Sequence, residues 1–335
     1  MNDPIDVVIP WVDGSDPEWQ KNKQYYEKLQ NQVDESDTNY RFESWDNLNY
    51  LFRAIEKFMP WVNSIFLITC GQIPSFLKRD HPKLNIVFHK DYIPEEYLPT
   101  YNSNTIEMNL FRINKLSENF ILFNDDLFPL QHIDEDYYFQ NNVPCDEAIE
   151  AIIMPNVSSS AIGRYYLIND MRIINRHFHK REVQSKNYNK WFTDVYGELL
   201  QRNIWMKPWY DFAGFRNAHM AAPYKKSTMK KIWHLEYETL DRASRNHFRN
   251  YNDITHFVVR YWQLCEGNFI PRRTLGKSFT VTMNNYEEVA SVIEKQSEFM
   301  ISTNEICTTN DFSVIKDRIN DAFEKILPDK CSFEK

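Results

Sequence analysis

Glycine is scarce in this chain, which has only 7 glycines among its 335 residues. No two of them lie close enough in sequence to form a GxGxxG dinucleotide fingerprint or a GxxxxGK[ST] phosphate loop. The sequence therefore excludes both of these glycine-based phosphate sites. If the protein binds a diphosphate, it must neutralise it with a metal ion and side chains.

Paired cysteines and long apolar runs are also missing. The 5 cysteines are scattered and none forms a CxxC pair, so neither a structural zinc site nor a disulfide framework is predicted. The first residues lack the basic and apolar regions of a secretory signal. No apolar stretch approaches the roughly 20 residues that cross a bilayer. We therefore expect a soluble, cytoplasmic protein.

The charge balance is acidic, with 39 Lys and Arg against 47 Asp and Glu and a net charge of -8. Because nucleic-acid phosphates are neutralised by clustered basic residues, no nucleic-acid partner is expected. Hydrophobic residues make up 42% of the chain and aromatic residues 15%, which is enough for a sizeable core. The length fits one large α/β domain with insertions, or two smaller domains.

The first 140 residues alternate between strand and helix patterns. Ser44–Phe58 and Thr105–Leu116 carry apolar residues at helical spacing, and a polar stretch at about Gln30–Tyr40 predicts a loop. Four short, mostly apolar runs are typical of buried strands: Ile5–Ile9, Ser64–Thr69, Leu84–His89 and Phe120–Phe123. The alternation predicts an α/β fold with a Rossmann-like, mostly parallel sheet and helices on both faces.

The second half is less regular, and we expect an α-rich continuation over residues 141–280. Two amphipathic helices are expected after about residue 283. The second, at about Phe312–Ile326, carries equal numbers of positive and negative charges, which favours packing on the domain over lying in a membrane. We describe residues 281–335 as a helical C-terminal segment.

Acidic and polar residues follow the first and fourth predicted strands, at Asp13 and at Asn124–Asp126. Ligands of parallel sheets bind beyond the carboxyl ends of the strands. The adjacent carboxylates of Asp125 and Asp126 repel each other unless a cation lies between them, and Mg²⁺ or Mn²⁺ shared with a diphosphate suits that arrangement. A solvated turn or a helix N-cap is the alternative for the same residues.

Other polar residues admit two interpretations. Asn102, Asn104 and Glu107 offer partners to a sugar or phosphate, but alone they are more typical of a helix cap. His219 suits a general base, although a single histidine is more often structural. One group of lysines suits an anionic membrane or a lipid diphosphate, although a solvated helix face is the more ordinary interpretation. These lysines are Lys225, Lys226, Lys230 and Lys231.

Four separated blocks carry a family resemblance. The first is IDVVIPWVDGSD at residues 5–16, and the second runs from about residue 46 to 128 and contains LPTYNSNTIE and FILFNDDLF. The third is Ala218-His219-Met220 with Pro223 and Tyr224, and the fourth is Arg249–Asp253 followed by Tyr261. On these motifs the chain resembles the Stealth family of sugar-phosphate transferases. That family includes bacterial capsular and exopolysaccharide phosphotransferases and the animal enzyme that builds the mannose-6-phosphate tag.

The resemblance implies transfer of a hexose-1-phosphate or N-acetylhexosamine-1-phosphate from a UDP-sugar to a hydroxyl of an acceptor glycan. UMP would leave, and a phosphodiester would form in capsular or exopolysaccharide synthesis. The acceptor would be a lipid-linked or free glycan, the cofactor Mg²⁺ or Mn²⁺, and the location the cytoplasm with peripheral contact to the inner membrane face. Residues 1–280 would form the catalytic domain, in which residues 1–140 bind the nucleotide sugar and residues 141–280 complete the site.

The resemblance also implies roles for individual residues. Catalysis is assigned to His219, Asp126, Arg249 and Asp13, and metal binding to Asp125 and Asp126. The residues assigned to the donor are Asp13, Gly14, Asn102, Asn104, Glu107, Asn124, Arg249 and Asp253. Three positions depart from the family pattern: Asn47 and Asn49 replace an acidic and a basic residue, and Ala222 replaces a second histidine of some members.

Two other functions share some of these features. A metal-dependent glycosyltransferase would use the same donor and acidic strand end, but it would release UDP. A non-catalytic glycan-binding protein would use the abundant aromatic side chains to stack on sugar rings. Identifying the released nucleotide separates the first alternative, and glycan affinity that persists without metal or nucleotide separates the second.

Overall fold

The structure is a computed structural model that describes residues 3–30, 45–154, 162–305 and 309–335. The predicted loop after Gln30 and the predicted helix start at Ser44 lie outside these residues. The described strands are β1 (Ile5–Pro10), β2 (Ile65–Thr69), β3 (Leu84–Phe88), β4 (Asn119–Leu122), β5 (Leu127–Pro129), β6 (Phe139–Gln140), β7 (Val143–Asp146), β8 (Ala222–Lys225), β9 (Ile270–Pro271), β10 (Lys277–Val281) and β11 (Met300–Glu305).

The α-helices of the same ranges connect and cover these strands. They are α1 (Pro17–Gln30), α2 (Leu48–Phe58), α3 (Ser103–Met108), α4 (Ile162–His177), α5 (Lys180–Lys186), α6 (Tyr188–Trp191), α7 (Leu200–Met206), α8 (Lys226–Leu235), α9 (Tyr237–Ser244), α10 (Phe257–Cys265), α11 (Tyr286–Lys295) and α12 (Thr309–Ile326). None of these described helices combines the length and apolar character needed to span a membrane.

A five-stranded sheet in the order β3-β2-β1-β4-β8 forms the centre of the molecule. Its first four strands run parallel, and β8 pairs with β4 in the antiparallel direction. All four strands predicted in the first half are present, with ends within one residue of the prediction. Their nearly continuous apolar sequence is typical of parallel strands buried on both faces.

Side chains that alternate along β1 enter two different hydrophobic cores. Val7 and Ile9 pack in a core with α2, α11 and α12, whereas Val8 packs in a core with α3, α4, α8 and α10. Helices therefore cover both faces of the sheet, and the predicted Rossmann-like α/β class is confirmed. The segment from α4 to α10 is rich in helix, as expected.

The helix predicted at Thr105–Leu116 is shorter than expected. It begins at Ser103 and ends at Met108, and only a 3₁₀ turn follows at Leu110–Arg112. Asn109 explains the interruption, since its side-chain amide donates to the Thr105 carbonyl oxygen at 2.8 Å and takes the place of the next backbone hydrogen bond. Leu110, Ile113 and Leu116 are still buried.

The C-terminal segment contains strands as well as the two predicted helices. β10, α11 and β11 form a parallel β-α-β unit, and β11 also pairs with β5 in the antiparallel direction. The description of residues 281–335 as helical was therefore incomplete. α12 packs on the domain through Ile315, Ile319 and Phe323, all of which belong to the core under β1. This packing confirms the prediction for the second helix.

Candidate active site

A cleft of about 1190 Å³ opens beyond the carboxyl ends of the parallel strands. The strand order reverses between β1 and β4, and such a switch point is where open α/β sheets bind ligands. Seven predicted site residues line this cleft: Asp13, Asn124, Asp125, Asp126, Glu107, His219 and Arg249. Residues far apart in sequence thus meet at one edge of the sheet.

The loop after β1 is fixed by Gln72 from the loop after β2. The Gln72 side chain accepts from the Asp13 backbone amide at 2.8 Å, and it donates to the Asp13 carbonyl oxygen and to Asp16. This hydrogen bond lowers the pKa of the Asp16 carboxyl, whose other oxygen caps α1 by accepting from the amide of Glu18 at 2.9 Å. Asp13 accepts from Ser15 and faces the cleft, whereas Gly14 is buried beneath it.

Asp126 follows β4 and is held by the C-terminal segment. Its backbone carbonyl accepts from the amide of Thr303 at 3.0 Å, and its Oδ2 accepts from the Ser302 hydroxyl at 3.2 Å. The other carboxylate oxygen, Oδ1, is buried and has no hydrogen-bond partner in the part of the chain that the structure describes. A buried carboxylate oxygen without a partner is costly, so this atom points to a ligand.

His219 lies opposite Asp126 on the loop before β8. Its Nε2 is 3.5 Å from Oδ2 of Asp126, and its φ of 52° is in the left-handed region that non-glycine residues rarely adopt. The Asp126 carboxylate raises the pKa of the imidazole above its ordinary value, and the side chain of Asn304 acts in the same direction. Such conformations cluster at functional sites, where the surrounding structure maintains them.

Arg249 reaches the cleft from the loop before α10. Its Nη2 donates to the hydroxyl of Ser103, the first residue of α3, at 2.8 Å. Its Nε is buried and finds no acceptor among the described residues. A guanidinium group with an unused donor that faces a cleft can bind a phosphate oxygen.

Asn102, Asn104 and Asp253 lie behind the cleft wall instead of lining it. Asp253 accepts from the side chains of Asn102 at 2.7 Å and Asn104 at 3.1 Å, and from the backbone amide of Asn250 at 3.0 Å. Asn102 also caps α3, as its ordinary interpretation predicted. In this structure the three residues join α3 to the loop that carries Arg249, and none of them lines the cleft as the donor assignment predicted.

Glu107 has a partner that the sequence analysis missed. Its Oε2 lies 2.5 Å from Nδ1 of His256, and both side chains are largely buried. The pair fixes the direction in which the Glu107 carboxylate faces the cleft. Because His256 stands alone at the start of α10, the sequence offered no signal that it would meet α3.

The lysines near β8 bind the protein itself. The Nζ of Lys226 donates to the carbonyl oxygens of Ile113 and Leu116, and burial lowers its pKa. Lys225 donates to Asn119, and Lys231 pairs with Glu266. These contacts argue against a membrane-facing role for this lysine group.

Comparisons with known proteins agree with the geometry. Two family profiles match, Stealth protein CR1 (conserved region 1) over residues 3–29 and Stealth protein CR2 (conserved region 2) over residues 41–146. The capsular polysaccharide phosphotransferase WcwK of Streptococcus pneumoniae is 40% identical over 99% of this chain and 98% of its own length. The chain belongs to the Stealth family.

Other Stealth relatives share the full length of the chain. The exopolysaccharide phosphotransferase cps2G of Lactiplantibacillus plantarum is 32% identical over 99% of this chain and 96% of its own length. The receptor polysaccharide phosphotransferase WefC of Streptococcus gordonii is 32% identical over the whole of both chains. With relatives of this kind, the present Stealth protein is an enzyme, a phosphotransferase. Asp13 and Asp126 lie in the two matched regions, whereas His219 and Arg249 lie beyond them.

The carboxylates of this Stealth protein fit a divalent ion of the predicted kind. Among the described residues, no three His, Cys, Asp or Glu side chains form a metal cluster. Mg²⁺ and Mn²⁺ need no such cluster, since one or two carboxylates and the phosphate oxygens of a substrate are enough. Asp125 lines the cleft, and Oδ1 of Asp126 is the buried oxygen without a partner. These two residues are the ones that would hold the ion.

Proposed function

We propose that the protein transfers a sugar-1-phosphate from a UDP-sugar to a hydroxyl of an acceptor glycan during capsular or exopolysaccharide synthesis. The observation that carries this proposal is the meeting of His219, Asp126 and Arg249 in one cleft at the switch point of the sheet. The names of the relatives supply the polymer class. We propose a lipid-linked or free glycan as the acceptor.

In the proposed reaction the acceptor oxygen attacks the phosphorus that carries the sugar. A new bond forms between that oxygen and the β-phosphorus, the bond from the β-phosphorus to the bridging oxygen breaks, and UMP leaves. His219 takes the proton of the acceptor hydroxyl at Nε2, and the nearby Asp126 carboxylate stabilises the imidazolium that results. The raised pKa of His219 reflects that same stabilisation.

The donor is proposed to lie between α3 and the loop after β1. Arg249 binds a phosphate oxygen with the donor that has no acceptor in the described structure. Glu107 and Asp13 face the sugar and ribose hydroxyls, Glu107 being oriented by His256. Mg²⁺ or Mn²⁺ on Asp125 and Asp126 would offset the negative charge of the diphosphate.

A donor assay tests this proposal. The protein is incubated with a panel of UDP-hexoses and UDP-N-acetylhexosamines, with an acceptor glycan and with Mg²⁺ or Mn²⁺, and the released nucleotide is identified by mass spectrometry. We expect UMP, and we expect its release to stop when EDTA is added. Release of UDP would show glycosyl transfer and contradict the proposal, and glycan binding with neither nucleotide would favour a binding protein.

We also propose that the enzyme works in the cytoplasm and attaches peripherally to the inner membrane face. The support is a group of exposed aromatic side chains on α7 and in the segment after it, where Trp205, Trp209 and Tyr210 are 70%, 51% and 70% exposed. The side chain of Arg181 lies over the Tyr210 ring, and Lys207 lies over the nearby Tyr188 ring. Exposed tryptophans beside basic side chains suit the interface of an anionic membrane.

Vesicle binding tests the aromatic face. The wild-type protein should sediment with vesicles that contain an anionic lipid and less with purely zwitterionic vesicles. The double variant Trp205→Ala/Trp209→Ala should lose most of this binding, whereas Tyr25→Ala, which removes an exposed aromatic ring from α1, should keep it. Equal binding by both variants would contradict the assignment of this face.

A further inference from the structure

The C-terminal β-α-β unit reaches the reaction centre although it lies outside both matched family regions. β11 pairs with β5, directly after Asp126, and the Thr303 amide donates to the Asp126 carbonyl oxygen at 3.0 Å. The two family profiles match residues 3–29 and 41–146, so neither of them covers this unit. The contact is therefore visible only in the folded structure.

Two side chains of β11 face the proposed acid–base pair. Successive side chains of a strand point to opposite faces, so Ser302 and Asn304 share one face. The Ser302 hydroxyl donates to Oδ2 of Asp126 at 3.2 Å, and Nδ2 of Asn304 donates to the Ser302 hydroxyl at 3.1 Å. Asn304 also lines the cleft, as His219 does.

The direction of these hydrogen bonds defines what each group can do. Because Nδ2 of Asn304 donates to the Ser302 hydroxyl oxygen, the proton of that hydroxyl is free to point at Asp126. Ser302 occupies Oδ2 of Asp126 and leaves Oδ1 for the cleft. Asn304, Ser302 and Asp126 thus form a row of three hydrogen-bonded side chains.

The strand is held rigidly enough to orient these groups. Ser302 is fully buried, and β11 pairs with β10 over five residues. A Cβ at Gly276, just before β10, would lie 2.6 Å from the Met300 carbonyl oxygen and 2.8 Å from Sδ of Met220. The unit is therefore packed closely against the residue that follows His219.

We propose that β11 is part of the reaction centre, with Ser302 positioning the Asp126 carboxylate and Asn304 orienting the Ser302 hydroxyl. This inference rests on the proposed role of Asp126. Ser302 and Asn304 act through that residue and not by contact with the reacting atoms. Since small misplacements of reacting groups cost large rate factors, the loss of either side chain lowers turnover without unfolding the protein.

Single substitutions give the first test. Ser302→Ala and Asn304→Ala should each lower kcat about 10-fold, with little change in the KM for the donor. The matched control is Ser278→Ala on β10, because this exposed hydroxyl contacts Ser302 at 3.4 Å and Asn304 at 3.4 Å from the neighbouring strand. Ser278→Ala should keep wild-type kcat. Ser302→Thr should keep most of the activity that Ser302→Ala loses, because threonine retains the hydroxyl.

A double-mutant cycle separates positioning from general damage. Adding Asn304→Ala to a Ser302→Ala variant should cause almost no further loss, because the hydroxyl that Asn304 orients is already gone. Losses that multiply in the double variant would overturn the proposal, and so would an equal loss in Ser278→Ala. Turnover is read in whichever nucleotide the wild type releases, so that UDP instead of UMP contradicts the proposed function but leaves this test valid.

Discussion

His219 has a backbone conformation, a partner and a location that together point to a chemical role. A left-handed φ of 52° is unfavourable for a histidine, and the residue nevertheless lies at the cleft beside Asp126. Asparagine tolerates this backbone region better than alanine does, so it can replace histidine with little added strain. His219→Asn therefore removes the base and preserves the loop.

We predict that His219→Asn lowers the transfer rate about 100-fold or more, because general-base help is typically worth ~10²–10⁴-fold. The melting temperature should stay within a degree or two of the wild type. The matched control is His132→Asn, since His132 is exposed and also lies beside a carboxylate, 3.1 Å from Asp134. A His219→Asn variant with wild-type turnover would exclude this residue as the base.

At the residue scale, the sequence predicted which residues belong to the site better than it predicted which way their side chains face. The strand pattern was enough to place Asp13 and Asp126 at one edge of the sheet, whereas His219 was assigned to the site only through the family resemblance. Asn102 and Asp253 were placed on the donor, yet they hydrogen-bond each other behind the cleft wall. Which way a polar side chain faces depends on packing between distant segments, and a single sequence does not contain that information.

Hydrogen bonds from helix α4 hold the loop that carries Arg249 in place. Asn169 donates to the carbonyl oxygens of Tyr251 and Asp253, and the carboxyl of Asp170 accepts from the amide of Thr255 at 2.9 Å. The Asp170 side chain is fully buried, and its second oxygen lies 2.5 Å from the Thr255 hydroxyl. Burial raises the pKa of Asp170 to about 8, so the folded protein holds this group protonated at neutral pH.

This buried acid gives a prediction about stability and pH. Between the unfolded pKa of 3.8 and the folded pKa of about 8, the folded chain binds one more proton than the unfolded chain. The stabilisation from Asp170 is therefore complete below pH 3.8 and declines as pH rises, by up to ~1.4 kcal/mol per pH unit. Asp170→Asn should remove this component from the free energy of unfolding measured between pH 5 and pH 8.

The comparison uses the difference between the two stability profiles, because all other groups titrate in both proteins. Wild type should lose stability relative to Asp170→Asn as pH rises through this window. Parallel profiles would mean that Asp170 is ionised in the folded protein. Chemical denaturation at several pH values, followed by tryptophan fluorescence, provides the measurement.

At the element scale, regular apolar patterns were sufficient to predict a helix or a strand, whereas interrupted patterns were not. The strands β1 to β4 and the helices α2, α11 and α12 carry a clear stripe or run, and each was predicted. β10 and β11 are short and mostly polar, so nothing marked them as strands before their pairing with each other, and of β11 with β5, was known. α3 ends early because one side chain, Asn109, competes with the backbone.

At the scale of the whole molecule, a buried ion pair joins α2 to the C-terminal residues. Arg53 on α2 donates to both carboxylate oxygens of Glu334, at 2.7 Å and 3.0 Å, and to the carbonyl oxygen of Leu327. The same guanidinium also reaches Glu324 at 3.2 Å, but that carboxylate is 53% exposed whereas Glu334 is 4% exposed. One arginine thus offers a buried and an exposed partner for direct comparison.

We predict that Glu334→Ala lowers the free energy of unfolding by about 3 kcal/mol, because it leaves a buried guanidinium without its main partner. Glu324→Ala should cost less than about 1 kcal/mol, since solvent screens the exposed pair. Both values come from chemical denaturation at neutral pH. Similar losses in the two variants would contradict the claim that burial makes the Glu334 pair the stronger of the two.

At the scale of the whole molecule, the proposed function requires that the acceptor oxygen forms its new bond to phosphorus. A UDP-sugar with ³²P in its β-phosphate follows that atom directly, with the acceptor glycan and Mg²⁺ present. We expect the label to move into the glycan and the released UMP to be unlabelled. Label that stays in released UDP would show attack at the sugar carbon and would exclude transfer of a sugar phosphate.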